Sequence, residues 1–169
     1  DRRYYDYQMI GLFIGRFQPL HNGHVFYIKK ILTECEKLIL VIGSSQEYKT
    51  EKNPFSVEER KIMITLCFRR ELKTIKLISA IDYPDDNGKW LMQIKKKAGK
   101  FDTVYAGQNK LIRKIFQGSG FKVKTFPRIG NLSGTKIRKL MQEKKDWEMY
   151  VPPAVYSYLT KKTTRIFYQ

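Results

Sequence analysis

The chain has 169 residues, 42% hydrophobic and 14% aromatic, with 33 Lys and Arg against 16 Asp and Glu and a formal charge of +17. That length holds one domain with a real core, and the apolar content is that of a folded globular protein. No apolar run approaches the ~18 residues that a membrane-crossing helix needs, which excludes a helical membrane span.

In chain order, residues 1–8 (Asp-Arg-Arg-Tyr-Tyr-Asp-Tyr-Gln) carry no core pattern. They read as an extension, native or added, ahead of one domain over 9–169. No secretory signal is visible, which points to the cytoplasm. Strand-like runs fall at residues 10–17, 37–42, 74–78, 102–106 and 121–126, with helix-like runs between them. Val25, Ile28, Ile31, Leu32 and Cys35 line one face of the first helix, for which Asn22 is a candidate cap. Ser56 opens the second, and Glu59 completes a capping box. Further helices are predicted over 89–98 and 110–117, after Ser133, and over 153–161 with Pro at the start. Strands alternating with helices predict a Rossmann-like α/β fold, an open parallel five-stranded sheet with helices on both faces. In such sheets ligands bind beyond the carboxyl ends of the strands, near a switch point.

Cys35 and Cys67 show no metal-ligand spacing and no CxxC, and read as buried free thiols. The charge favours anionic partners, but Lys29-Lys30, Arg69-Arg70, Lys95-Lys96-Lys97, Lys144-Lys145 and Lys161-Lys162 are scattered. Solvated helix faces, attraction of an anionic substrate and nucleic-acid binding are all compatible with that pattern.

Neither GxxxxGK[ST] nor GxGxxG is present, so a P-loop hydrolase and a dinucleotide oxidoreductase lack support. Two other segments carry the chemistry. The first is Gly-Arg-Phe-Gln-Pro-Leu-His-Asn-Gly-His over 15–24. It sets Arg16, His21 and His24 where a strand hands over to a helix, and a helix amino end is a ready anion site. The second is Leu-Ser-Gly-Thr-Lys-Ile-Arg-Lys over 132–139. Ser133 or Thr135 caps a helix there, yet Lys136, Arg138 and Lys139 are cations in a first turn, where the dipole favours anions. Such a helix start is expected to bind an anion.

Together the two segments resemble the nucleotidylyltransferase superfamily, enzymes that transfer a nucleoside monophosphate from a nucleoside triphosphate. Ile-Gly-Ser-Ser-Gln (42–46) and Lys-Asn-Pro-Phe-Ser-Val-Glu-Glu-Arg (52–60) narrow the resemblance to the archaeal type of nicotinamide-nucleotide adenylyltransferase, over residues 9 to about 162. The resemblance implies transfer of AMP from ATP to nicotinamide mononucleotide (NMN), giving NAD and pyrophosphate. It implies that His21 and His24 hold the ATP phosphates and that Arg16 sits at the reacting phosphates. Arg138, with Ser133, Gly134 and Thr135, would grip the β- and γ-phosphates, while Gly15, Phe17 and Gly23 shape the ATP side. Ser44, Lys52, Asn87, Trp90 and Asn109 would meet NMN, with Trp90 stacked on the nicotinamide ring. Lys52 stands where several family members have Arg and lacks its bidentate geometry. Mg²⁺ is expected on the substrate phosphates, with no protein metal site. A homo-oligomer, often a hexamer, is also implied.

The loop from Asp82 to Trp90 is one residue longer than the family pattern, and Gly107-Gln108-Asn109 inserts a residue into a Gly-Asn pair. Both changes touch the second substrate's pocket. The rival readings are an adenylyl- or cytidylyltransferase for another acceptor, such as flavin mononucleotide (FMN) or phosphopantetheine, and a basic RNA-binding module. The chain shows no RNP-like motif, KH clamp or zinc knuckle for the last.

Overall fold

A computed structural model describes residues 8–167, with side chains through Lys162. Of the extension read over residues 1–8, all but the exposed Gln8 lies outside the described residues. Strands β1 (Ile10–Gly15), β2 (Lys37–Ile42), β3 (Ile75–Ser79), β4 (Thr103–Ala106) and β5 (Lys122–Thr125) form one sheet in the order β3-β2-β1-β4-β5. Every pairing is parallel. Helices α1 (Asn22–Leu32), α2 (Val57–Cys67), α3 (Asn87–Ala98), α4 (Lys110–Gly118) and α5 (Gly134–Gln142) follow β1 to β5 in turn, and α6 (Pro153–Phe167) ends the described chain. The predicted fold class is the observed one.

The central strands β1 and β2 are apolar almost throughout because both faces are covered, whereas the edge strands β3 and β5 carry exposed Lys76 and Lys122. Side chains alternate between two cores. Phe13, Leu38, Leu40 and Ile42 pack with Ile28 and Ile31 of α1, Met63 and Ile64 of α2, Ile137 of α5 and Val155 of α6. Leu12, Ile14, Ile39 and Val41 pack on the other face with Ile94 of α3 and Phe116 of α4. The chain reverses direction across the sheet between β1 and β4, and that switch point holds the site.

Element ends differ from the sequence reading where local chemistry intervenes. β1 stops at Gly15, and Phe17 takes a left-handed φ of 54°, which turns the chain out of the sheet. Asp86 caps α3 by accepting from the Lys89 N–H, so that helix starts at Asn87. A 3-10 turn over Glu148–Tyr150, which the periodicity does not reveal, joins α5 to α6. Lys162 of α6 pairs with Glu59, the same carboxylate that closes the Ser56 capping box on α2. Cys35 is buried and donates to the Ile31 carbonyl, whereas Cys67 is only half-buried.

Leu40 and Val41 are neighbours in sequence, both fully buried, on opposite faces of β2. Truncating either to Ala is expected to destabilise the chain, by about 3 kcal/mol for Leu40→Ala and about 2 kcal/mol for Val41→Ala. Urea unfolding measures both. A sheet covered on one side only would tolerate one of the two.

Candidate active site

A cavity of about 710 Å³ opens where the central strands end. Gly15 and Arg16 line it at the end of β1, Gly43 and Ser44 after β2, and Ala106 and Gly107 at the end of β4. The amino ends of four helices also meet it, through His21 and His24 (α1), Asn87 (α3), Asn109 (α4) and Ser133 and Gly134 (α5). None of these helices carries an acidic residue in its first turn. α2, whose residues do not line the cavity, carries Glu58 and Glu59 there. At α1, α4 and α5 the amino ends therefore keep their partial positive charge, whereas the Asp86 carboxylate caps α3.

The cap of α1 is the first correction to the sequence reading. His21, not Asn22, is the N-cap. Its Nδ1 accepts from the His24 backbone N–H at 3.3 Å, and His24 Nδ1 accepts from the His21 backbone N–H at 3.2 Å. An imidazole Nδ1 here does the work of the usual cap oxygen, and the two rings stack 3.6 Å apart. Asn22 instead donates through Nδ2 to the Met149 carbonyl. Because both Nδ1 atoms accept, both rings are neutral and carry their proton on Nε2. Burial pushes His21 down to about 4. Burial, then the neighbouring His21, holds His24 well below the usual histidine range. Glycine at position 23 leaves room for the His21 ring, since a Cβ there would stand 3.0 Å from it.

Ser133 caps α5 by accepting from the Lys136 N–H. Of the three cations after it, only Arg138 turns inward. Lys136 lies over the Tyr150 ring at 4.5 Å, and Lys139 is exposed. Arg138 is buried, donating Nη1 to the Gln18 carbonyl at 2.9 Å and Nη2 to Thr135 Oγ1 at 3.2 Å. Burial, then Arg16, lowers its pKa. A Cβ on Gly134 would meet Arg138 Nη1 at 2.9 Å and the Gln18 carbonyl oxygen at 3.3 Å, so glycine lets this contact form.

The structure brings most of the sequence candidates to one cavity: Gly15, Arg16, His21, Gly23, His24, Ser44, Asn87, Trp90, Asn109, Ser133 and Gly134 all line it. Four others are placed differently. Arg138 and Phe17 lie behind the wall, with Phe17 fully buried 4.8 Å from the His24 ring. Thr135 is exposed beside Arg138, and Lys52 is exposed in the loop before α2. Its neighbour Asn53 is buried and accepts from Arg16 Nη1 at 3.5 Å. Trp90 has two contacts, one edge against Phe116 of the core and another surface on the cavity. Asn109 spends its Oδ1 on the cap of α4, accepting from the Leu111 and Ile112 N–H groups.

Three contributors escape the sequence reading. Arg128, exposed in the loop after β5, lines the cavity. Gln18 clamps the 52–60 segment, accepting from the Phe55 N–H at 2.9 Å and donating to its carbonyl at 2.8 Å. Arg60 is fully buried and donates only to backbone carbonyls. A signal for it exists. It stands three and four residues before Met63 and Ile64, on the apolar stripe of α2, where a charge is out of place.

A parallel sheet with a phosphate-ready cavity at its switch point, guarded by a histidine-capped helix, defines a Rossmann-like nucleotidyltransferase. The chain belongs to the cytidylyltransferase-like family, whose sequence profile matches residues 12–140, and within it to the nicotinamide-nucleotide adenylyltransferases. The enzyme of that name from Thermoplasma volcanium is 38% identical over 144 residues, covering 84% of this chain and 80% of its own. The one from Archaeoglobus fulgidus is 39% identical over 155 residues, covering 87% and 88%. A bifunctional NMN adenylyltransferase/ADP-ribose pyrophosphatase from Francisella tularensis, crystallised with AMP and a manganese ion, superposes with a TM-score of 0.82 at 27% identity. That match covers 93% of this chain but 49% of the bifunctional protein, so this chain spans about half its length.

The neutral histidine cap has a pH signature. The folded state holds His21 near 4, whereas the unfolded chain titrates near 6.5, so the unfolded state binds more protons between those values. Stability is therefore complete above about pH 6.5 and lost as the pH falls toward 4, by on the order of 3 kcal/mol from His21. In His21→Asn, which supplies a cap oxygen in place of Nδ1 but cannot titrate, the difference in urea stability between pH 7 and pH 4.5 is expected to shrink. An unchanged difference would remove the neutral cap from the picture.

Proposed function

We propose that the cavity binds ATP and NMN together and transfers AMP from the first to the second, releasing NAD and pyrophosphate. The observation that carries this reading is the reciprocal histidine cap. It leaves two Nε2–H donors and the amino end of α1 beside Arg16, in a cavity rimmed by further helix amino ends.

A phosphate oxygen of NMN attacks the α-phosphorus of ATP in line. The new P–O bond forms as the bond to the bridging oxygen of the β-phosphate breaks, and pyrophosphate departs. The nucleophile is already an anion near neutral pH, so no general base is needed. Catalysis rests on positioning and on charge stabilisation. His21 and His24 donate to the triphosphate through Nε2, and Arg16 stands at the reacting centre. Ser133, Gly134 and Thr135 offer the end of α5 to the β- and γ-phosphates. Arg138 supports that end from behind and has N–H groups beyond the two used on protein. Trp90 offers an aromatic surface to the nicotinamide, with Asn87 and Asn109 nearby and Ser44 at the end of β2. Lys52 reaches the phosphates only if its loop folds inward.

ATP enters as its magnesium complex. The magnesium ion is carried by the substrate phosphates, as it commonly is for nucleoside triphosphates. No described helix is long and apolar enough to cross a membrane. A cytoplasmic location and a homo-oligomer, a hexamer by family resemblance, complete the reading; light scattering tests the assembly.

Mixing the protein with ATP, Mg²⁺ and NMN, and following NAD with a coupled dehydrogenase, is expected to show turnover. Pyrophosphate release with FMN or phosphopantetheine but not NMN would overturn the acceptor. No turnover with any acceptor would overturn the reaction. Arg138→Ala is expected to lose ~3 kcal/mol of transition-state stabilisation, about a hundredfold in kcat. Unchanged turnover at saturating ATP would contradict its role.

A further inference from the structure

Arg60 is the largest fully buried side chain of the described residues. Its guanidinium spans two strand ends. Nη1 donates to the Gly43 carbonyl at 2.7 Å and to the Arg16 carbonyl at 3.0 Å, and Nη2 donates to the Ser44 carbonyl at 3.1 Å. Nε reaches the Ser56 carbonyl of its own helix cap at 3.3 Å. Among the described residues no carboxylate pairs with it. A buried cation with no anion is costly and needs a reason. Arg16, Gly43 and Ser44, whose carbonyls it binds, all line the cavity. The Gly43 N–H also donates to the Gly15 carbonyl, and Ser44 holds a φ of 47°, so this junction is tight and specific. A planar fork reaches carbonyls on both sides of the junction at once, whereas a lysine ammonium presents its donors from one point.

We propose that Arg60 is a positioning residue for the transfer step. It locks the end of β1 against the turn after β2, so that the Arg16 guanidinium and Ser44 meet substrate in one arrangement, and its unpaired charge is balanced when phosphates bind. The positive charge survives at neutral pH: burial first, then Arg16, lowers its pKa to about 10, while Asp82 opposes the fall. This inference rests on the adenylyl-transfer reading, and NAD formation by the unaltered protein tests that reading separately.

The experiment compares the unaltered protein, Arg60→Lys, Arg16→Ala and the double variant, each with NMN and varied MgATP. Arg60→Lys keeps the charge but loses the fork. It is expected to lower kcat about 30-fold with less than about a threefold change in the KM for ATP, as misplacement of a reacting group does. In the Arg16→Ala background the same change is expected to cost less than about threefold, because Arg60 acts through Arg16. A kcat within about twofold of the unaltered protein, or losses that multiply in full, would overturn the proposal and leave Arg60 a structural residue only. Should Arg60→Lys not fold, the unaltered protein still decides. On adding a non-hydrolysable ATP analogue with Mg²⁺, the nitrogen-15 NMR signals of the Arg60 side chain and of the Arg16, Gly43 and Ser44 amides are expected to shift together. A silent Arg60 signal at saturation would overturn the proposal.

Discussion

The carbonyls of Arg16 and Gln18 accept hydrogen bonds from two buried guanidiniums, Arg60 of α2 and Arg138 of α5. Between them Phe17 is fully buried, and the Gln18 side chain is bonded in both directions to the Phe55 backbone. Three residues of chain are thus held by α2, by α5 and by the loop before α2. This turn delivers Arg16 to the cavity and leads through Pro19 and Leu20 into the histidine cap. A strand end alone would leave these carbonyls to water and the turn free to move.

The grip uses positive charge where a neutral donor would bond as well, and that choice explains the electrostatics. Arg16 disfavours the charged form of both Arg60 and Arg138. The amino ends of α1, α4 and α5 at the cavity add charge of the same sign, unrelieved by acid in their first turns or caps. These positive groups repel one another, partly offset by Asp82 and Asp85 on the cavity lining, and the fold holds each in place. Two polyanionic substrates reverse the balance. The repulsion between ATP and a nucleotide phosphate is the main obstacle to their reaction, and surplus positive charge fixed in advance answers it without reorganisation. The neutral histidines fit the same logic: their Nδ1 atoms hold the helix start in place, and neither ring adds a charge.

The sheet was legible because the central strands are apolar runs, the edge strands alternate apolar with polar residues, and the helices between them repeat their apolar residues at three and four. Helices α2 and α5 were anchored by recognisable caps, Ser56 with Glu59 and Ser133. That the two segments meet at one cavity was legible because histidine, arginine and glycine at a strand-to-helix turn have few structural uses. Other features depend on contacts that spacing does not encode. That His21 rather than Asn22 caps α1 depends on ring geometry and on Met149, far along the chain. That Arg138 sits behind the wall depends on the Gln18 carbonyl, 120 residues away in sequence. Lys52 belongs to an irregular loop, where sequence fixes composition but not the direction of a long exposed side chain. Arg60 escaped the sequence reading although a charge on an apolar stripe marks it, and its carbonyl partners come from two separate strand ends.

A crystal structure with a non-hydrolysable ATP analogue and NMN would test most directly whether this turn is the frame for phosphate transfer. The expected result places triphosphate oxygens within hydrogen-bond distance of Nε2 of His21 and His24 and of the Arg16 guanidinium, with the Arg60 and Arg138 bonds to the Arg16 and Gln18 carbonyls unchanged. A triphosphate bound elsewhere in the cavity, or a turn rebuilt with those bonds broken, would contradict it.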